Sequence, residues 1–208
     1  MTLIGVDPSI CNTGVAIQRP DDTIIQTTVI ATAQWKRTRG LGRMARVADE
    51  VRAFCGLAES EEALLAIEDT GRPQGNSRRN ISLHDVIRMW LADNAVVSTL
   101  VVAPAQLKLF LTGKGGADVK KGQTGGSVIR LWGSELDGVP PEDALEAVGF
   151  LQMAQCYLDM QQDRDAGAWL QYQRDVVYYQ RQTKRKGEKE LPVRELERDS
   201  FDLDPGNW

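Results

Sequence analysis

The chain has 208 residues, 42% of them hydrophobic and 26% charged, with a formal net charge of −4, the composition of an ordinary globular protein able to bury a sizeable core. No apolar run approaches the roughly 20 residues of a membrane span, and no basic stretch leads into an apolar segment and cleavage site at the start of the chain, so the expected address is cytoplasmic. The three cysteines, Cys11, Cys55 and Cys156, are odd in number and unpaired in spacing, which excludes a disulfide framework or zinc site and predicts free thiols.

A short apolar run, Leu3 to Val6, ends in Asp7; a turn follows through Pro8, Ser9, Asn12, Thr13 and Gly14, and apolar residues resume at Val15 to Ile17. The pattern predicts a β-hairpin with a carboxylate at the end of its first strand. An acid is depleted in strands and costly to bury alone, so Asp7 is either a turn residue beside Pro8 or a metal ligand. Thr23 to Ala31, rich in β-branched residues, predicts a third strand. Between Thr38 and Glu59, apolar residues at Leu41, Met44, Val47, Ala48, Val51 and Phe54 recur at helical spacing. Ala63 to Glu68 reads as a buried strand that again ends in an acid, Glu68.

A loop is expected from Gly71 to Asn80, containing Arg72, Arg78 and Arg79, then a helix from Leu83 to Ala95, which carries the lone His84, and a strand from Leu100 to Ala103 closed by Pro104. This alternation implies a mixed α/β sheet with helices against it. Ala105 to Leu111 predicts a brief helix that runs into a stretch heavy in Gly and Lys, Thr112 to Gly126. That stretch is either a solvated surface loop or a mobile backbone able to approach a ligand, with Lys108, Lys114, Lys120 and Lys121 as cations. The order of Gly113 and Lys114 is not that of a Walker A phosphate loop. A helix follows at Ser127 to Trp132, and a long one from Glu142 to Asp159 is opened by Pro140 and Pro141. It carries Asp143 and Glu146 one turn apart on one face.

From Met160 onward the composition turns to Gln, Arg, Asp and Lys, with nine basic and ten acidic residues. Trp169, Tyr172, Val176, Val177 and Tyr179 outline one more amphipathic helix, while Lys184 to Trp208 has too little apolar content to order itself. The expected organisation is a core domain over 1–159 and a charged extension over 160–208, read as a solvated appendage or as an oligomerisation or DNA-contacting arm.

Asp7, Glu68, Asp143 and Glu146 each have an ordinary reading alone, as a turn residue, a strand end, a first-turn acid favoured by the helix dipole and an exposed helix position. Gathered together they would repel, and a hard cation is the natural neutraliser. Mg²⁺ takes a few carboxylate oxygens plus water and leaves room for phosphate oxygens. Two such ions about 4 Å apart can activate a water and stabilise the departing oxygen of a phosphodiester.

On these residues the chain resembles the RuvC Holliday-junction resolvases of the RNase H-like nuclease superfamily. The opening LIGVDPSICNTGVAI, the AIE at Ala66 to Glu68, VVAPAQLKLFLTGKGGADVKK from Val101 and EDALEAVGFLQMA from Glu142 fall in the family's order over residues 1–158. The resemblance implies an RNase H-like mixed five-stranded sheet flanked by helices, with a helical or partly disordered C-terminal tail. It also implies two Mg²⁺ (or Mn²⁺) ions held by Asp7, Glu68, Asp143 and Glu146, and a homodimer joined through the helix at Leu83 to Ala95 that nicks four-way DNA junctions in symmetric pairs. Lys108 and one of Lys120 or Lys121 would contact phosphates, with Lys114, Arg72, Arg78 and Arg79 as further DNA contacts.

Departures from the family pattern are specific. Aligned on Asp-Ala-Leu, the first acid of the last helix falls on Pro140; aligned one turn later, Asp143 and Glu146 take both places, with Glu142 and Asp137 as substitutes. No aromatic follows Glu68 to stack at a junction centre. These differences and the unusual tail suit a divergent member carried by a mobile element such as a phage. Rival classes are a catalytically inert binding or scaffold protein on the same fold, and an actin-like nucleotide binder, against which a single small domain argues. His84 beside Asp85 reads as structural or as a general base.

Overall fold

The first strand, β1 (Thr2–Asp7), is buried at every position, as an apolar run without polar alternation requires when both faces of a sheet are covered. β1 comes from a computed structural model that describes residues 1–33, 35, 40–69, 77–93, 95–114, 119–162, 168–177 and 194–196, with the backbone alone at 77–82, 121 and 194–196. β1 forms an antiparallel hairpin with β2 (Asn12–Gln18), which pairs antiparallel with β3 (Gln26–Ala31). On its other side β1 runs parallel to β4 (Glu62–Glu68), and β4 runs parallel to β5 (Val96–Val102). The mixed five-stranded sheet expected from the sequence is therefore present, in the order β3-β2-β1-β4-β5. A short sixth strand from the tail, β6 (Arg194–Leu196), adds antiparallel to β5.

Alternation along each strand divides the core into two layers. Ile4, Val6, Leu65 and Ile67 pack with α1 (Leu41–Cys55) and α2 (Ser77–Ala92). Leu3, Leu64, Ala66, Leu100 and Val102 pack with α3 (Pro104–Thr112), α4 (Lys121–Trp132) and α5 (Glu142–Gln161). Helix α5 presses onto β1 and β2 so closely that two glycines are obligatory. A Cβ on Gly5 would sit on the backbone oxygen of Ala147 and 2.6 Å from the Leu151 nitrogen, and one on Gly14 would sit on the backbone oxygen of Asp143.

Several boundaries differ from the sequence reading. Helix α2 begins at Ser77, so the backbone at Arg78 and Arg79 is helical and not a loop; Arg72 lies outside the described residues. Strand β5 starts four residues earlier than expected, at Val96. The Gly- and Lys-rich stretch is not all loop, since α4 begins at Lys121 and includes Gly122, Gly125 and Gly126. Glycine lowers helix propensity by up to about 1 kcal/mol per residue, but here tertiary contact prevails: a Cβ on Gly125 would meet Leu145 Cδ1 at 3.1 Å.

The expected domain boundary at 159/160 does not mark the edge of the packed core. Helix α6 (Gln171–Val177) buries Gln173, Val176 and Val177, and the two valines join the layer built around α5. Trp169 packs with Phe110 and Trp132 at ring-centroid distances of 5.9 and 6.4 Å and donates its indole N–H to Asp159 Oδ2 at 2.9 Å. Gln173 Nε2 donates to the Phe110 carbonyl. The start of the extension is therefore part of the core rather than a solvated appendage; Tyr179, also assigned to this helix from the sequence, lies outside the described residues.

All three cysteines are free. Burial pushes the Cys55 and Cys156 thiols up to about 12, so both remain protonated and unreactive at neutral pH. No helix among the described residues is long and apolar enough to cross a membrane.

Candidate active site

Strands β1, β4 and β5 are parallel and end at one edge of the sheet, where ligands of open α/β folds commonly bind. Val6 pairs with Ile67, so Asp7 and Glu68 are the next residues on adjacent strands. By alternation both project toward the α5 layer, on the same face as Leu3 and Ala66. Asp7 is only 8% exposed, and Glu68 is half-buried.

Asp7 also lies opposite Gly14 in the hairpin, and Gly14 touches the backbone of Asp143. The absence of a side chain at Gly14 thus lets the first turn of α5 descend onto the strand pair that carries Asp7. Pro140 and Pro141 precede that turn, and the carbonyl of Pro141 accepts from Ala144 N–H at 3.0 Å. Half-buried Asp143 enters the same corner from above, and Glu146 follows one turn later. Thr124 Oγ1 on α4 donates to Glu146 Oε1 at 3.3 Å. The fold thus brings the backbones of the four expected acids to one corner. Among the described residues, however, no three His, Cys, Asp or Glu side chains are already drawn together as a metal-holding group. Of the substitute acids, Glu142 and Asp137 are both exposed; Glu142 faces α4 near Gly122.

Of the expected cations, Lys108, Lys114 and Lys120 lie on or beside α3 and α4. Lys108 is half-buried on α3, the helix that leaves the end of β5. Lys120 is exposed and caps the start of α4, its N–H donating to Gln123 Oε1 at 2.9 Å. Lys114 is exposed just past α3. The side chains of Lys121, Arg78 and Arg79 lie outside the described set, as does all of Arg72.

His84 belongs to the opposite layer. It is 7% exposed on α2, next to Leu83 and Ile87 of the α1/α2 core, a packed setting that suits a structural role. Its Nδ1 lies 3.3 Å from Asp85 Oδ1, while Nε2 is buried without a hydrogen-bond partner. Burial, reinforced by the nearby Arg88 charge, holds its pKa below the ordinary 6.5 despite the opposing pull of Asp85 and Asp69. Because the unfolded chain binds this proton more readily, the contribution of His84 to stability is complete above about 6.5 and declines as pH falls through the depressed folded value. His84→Gln is expected to flatten the drop in Tm between pH 7.5 and 5.5; an unchanged slope would show that other groups set it.

The layers and strand order define an α/β fold of the RNase H-like kind. No protein-family model matches the chain, and no curated protein matches it. Among solved structures it is similar to Thermus thermophilus RuvC in complex with Holliday junction substrate, at 19% identity and a TM-score of 0.57, covering 77% of this chain and 96% of that one. A second structure of Thermus thermophilus RuvC aligns at 18% identity and a TM-score of 0.55 with the same coverage. This likeness establishes the fold.

Proposed function

We propose that the protein is a structure-selective endonuclease that hydrolyses phosphodiester bonds of branched DNA, four-way junctions above all. The observation that carries this reading is the convergence of Asp7, Glu68 and Asp143 on one sheet corner, by strand register and by the Gly14 contact. The neighbour with the same fold was solved on a Holliday junction.

The donor set consists of carboxylate oxygens on two strand ends and one helix start, which suits Mg²⁺ or Mn²⁺ in kind. Asp7, Glu68 and Asp143 would hold the ions, with Glu146 assisting. When bound, the ions supply a polarised water and a clamp on the departing 3′ oxygen. The chain's own part is to hold the acids on rigid elements and to grip the DNA backbone through Lys108, Lys114, Lys120 and Lys121, with Arg72, Arg78 and Arg79 from the segment after β4. Phosphate contacts of this kind fix position more than sequence. A homodimer would place two such corners on one junction, with α2 and its 45% exposed Met89 at the contact.

The test is Mg²⁺-dependent cleavage of a labelled four-way junction beside a linear duplex of the same sequence. Paired symmetric nicks in the junction alone are expected, with binding that weakens steeply between 50 and 200 mM salt, by a factor of about 10³ for six phosphate contacts. Equal cutting of both DNAs would keep the nuclease and remove the junction preference. Junction binding without any metal-dependent cutting would establish the inert-binder reading.

A further inference from the structure

We propose that Thr124 is a positioning residue that fixes the Glu146 carboxylate for metal binding, so that helix α4 sets the geometry of the metal site. The inference rests on the nuclease reading above and adds a residue outside the carboxylate set.

Thr124 lies on α4, three positions after Lys121, and is 1% exposed. A hydroxyl so deeply placed must be hydrogen-bonded to be tolerated, and it donates to Glu146 Oε1 at 3.3 Å. That bond spans two helices and depends on their close approach. At Gly125 the two helices are close, since a Cβ there would lie 3.1 Å from Leu145 Cδ1, while Gly122 has ordinary room toward Glu142 Oε1 at 4.0 Å. Gly125, one of the glycines that obscured α4 in the sequence, follows Thr124 directly and lies where α4 packs closely on α5.

A half-buried glutamate has three rotatable side-chain bonds, and a donor on one carboxylate oxygen restricts them. Partners of this kind, bonded to a ligand and not to the metal, commonly change metal affinity by about 10- to 100-fold when removed. The helix that fixes Glu146 is preceded directly by its N-cap Lys120, an exposed residue and a proposed phosphate contact. A phosphate gripped there is thus tied by one rigid element to the acid that assists the metals.

The experiment titrates Mn²⁺ into full-length wild type, Thr124→Val and Thr124→Ser, following free Mn²⁺ by electron paramagnetic resonance, with Tm and junction cleavage measured on the same samples. Valine keeps the volume and removes the hydroxyl; serine keeps the hydroxyl and removes the methyl. Thr124→Val is expected to weaken Mn²⁺ binding about 10-fold and to raise the Mg²⁺ concentration needed for half-maximal cutting by a similar factor, with Thr124→Ser close to wild type. Wild-type Mn²⁺ affinity in Thr124→Val would overturn the proposal while leaving the nuclease reading intact. Equal weakening in both variants would also overturn it, by assigning the effect to packing. A wild-type protein that neither binds Mn²⁺ nor cuts DNA would overturn the nuclease reading, and this inference with it.

Discussion

Asp7→Asn is expected to reduce metal-dependent cleavage of a four-way junction by about 1000-fold or more, equivalent to roughly 4 kcal/mol of transition-state stabilisation, while leaving the fold intact. Asn fills the same volume at the end of β1 but carries no charge, so it cannot bridge two cations. The same change separates a catalytic role from a structural one by its effect on stability. Asp7 is nearly buried beside Glu68 on the adjoining strand, and like charges in such a place repel. Without metal, Asp7→Asn should therefore melt at or above the wild-type temperature. With Mg²⁺ or Mn²⁺ added, wild type should gain thermal stability through linkage, and the variant should not. A variant that cuts normally, or one that still gains stability from the metal, would remove Asp7 from the proposed site. Junction binding in metal-free buffer is expected to survive, because the cations proposed to grip phosphate lie on other elements.

Gly5→Ala is expected to be the most destabilising conservative change in the sheet, by about 3 kcal/mol or more. The added methyl would overlap backbone atoms of Ala147 and Leu151, and backbone inside a helix cannot turn aside as a side-chain tip can. For a domain of this size the loss corresponds to a fall of roughly 10 °C in Tm. Gly14→Ala has the same steric cause, against the carbonyl of Asp143, but a second consequence. It would lift the first turn of α5 from the hairpin and carry Asp143 away from Asp7. Gly14→Ala should therefore lose cleavage even at a temperature where it is fully folded, whereas folded Gly5→Ala, two residues further from the corner, should retain more of it. Thermal melts and cleavage measured at a temperature below both transitions distinguish the two. Equal stability of both variants to wild type would show that α5 stands further from the sheet than described.

Much of this was legible because the residues conflict with their local surroundings. Asp7 and Glu68 each end an apolar run in which a carboxylate has no place on packing grounds, so the sequence marked both. Asp143 and Glu146 were legible through helical spacing, and the hairpin through its turn residues. The same local reasoning failed wherever a long-range contact outweighs propensity. Gly122, Gly125 and Gly126 read as loop because glycine disfavours helix, yet all three are helical, and Gly125 lies where α4 packs against Leu145 of α5. The residues after Met160 read as a solvated extension because their composition is polar, yet Trp169, Val176 and Val177 fill the space beside Phe110 and Trp132. Thr124 gave no signal at all, as one hydroxyl in a polar, glycine-rich stretch; only its burial against Glu146 distinguishes it.

The sequence by itself determined the order of the elements, the strands that end in acids and the class of fold, because apolar periodicity and the cost of a misplaced charge are properties of neighbouring residues. The tertiary structure alone decided that the backbone positions carrying the acids lie at one corner. The register of Val6 with Ile67 sets Asp7 beside Glu68, and the bare backbone of Gly14 admits Asp143 above them. Both are contacts between segments more than 50 residues apart, fixed by the packing of α5 on the sheet and by no interaction within either segment.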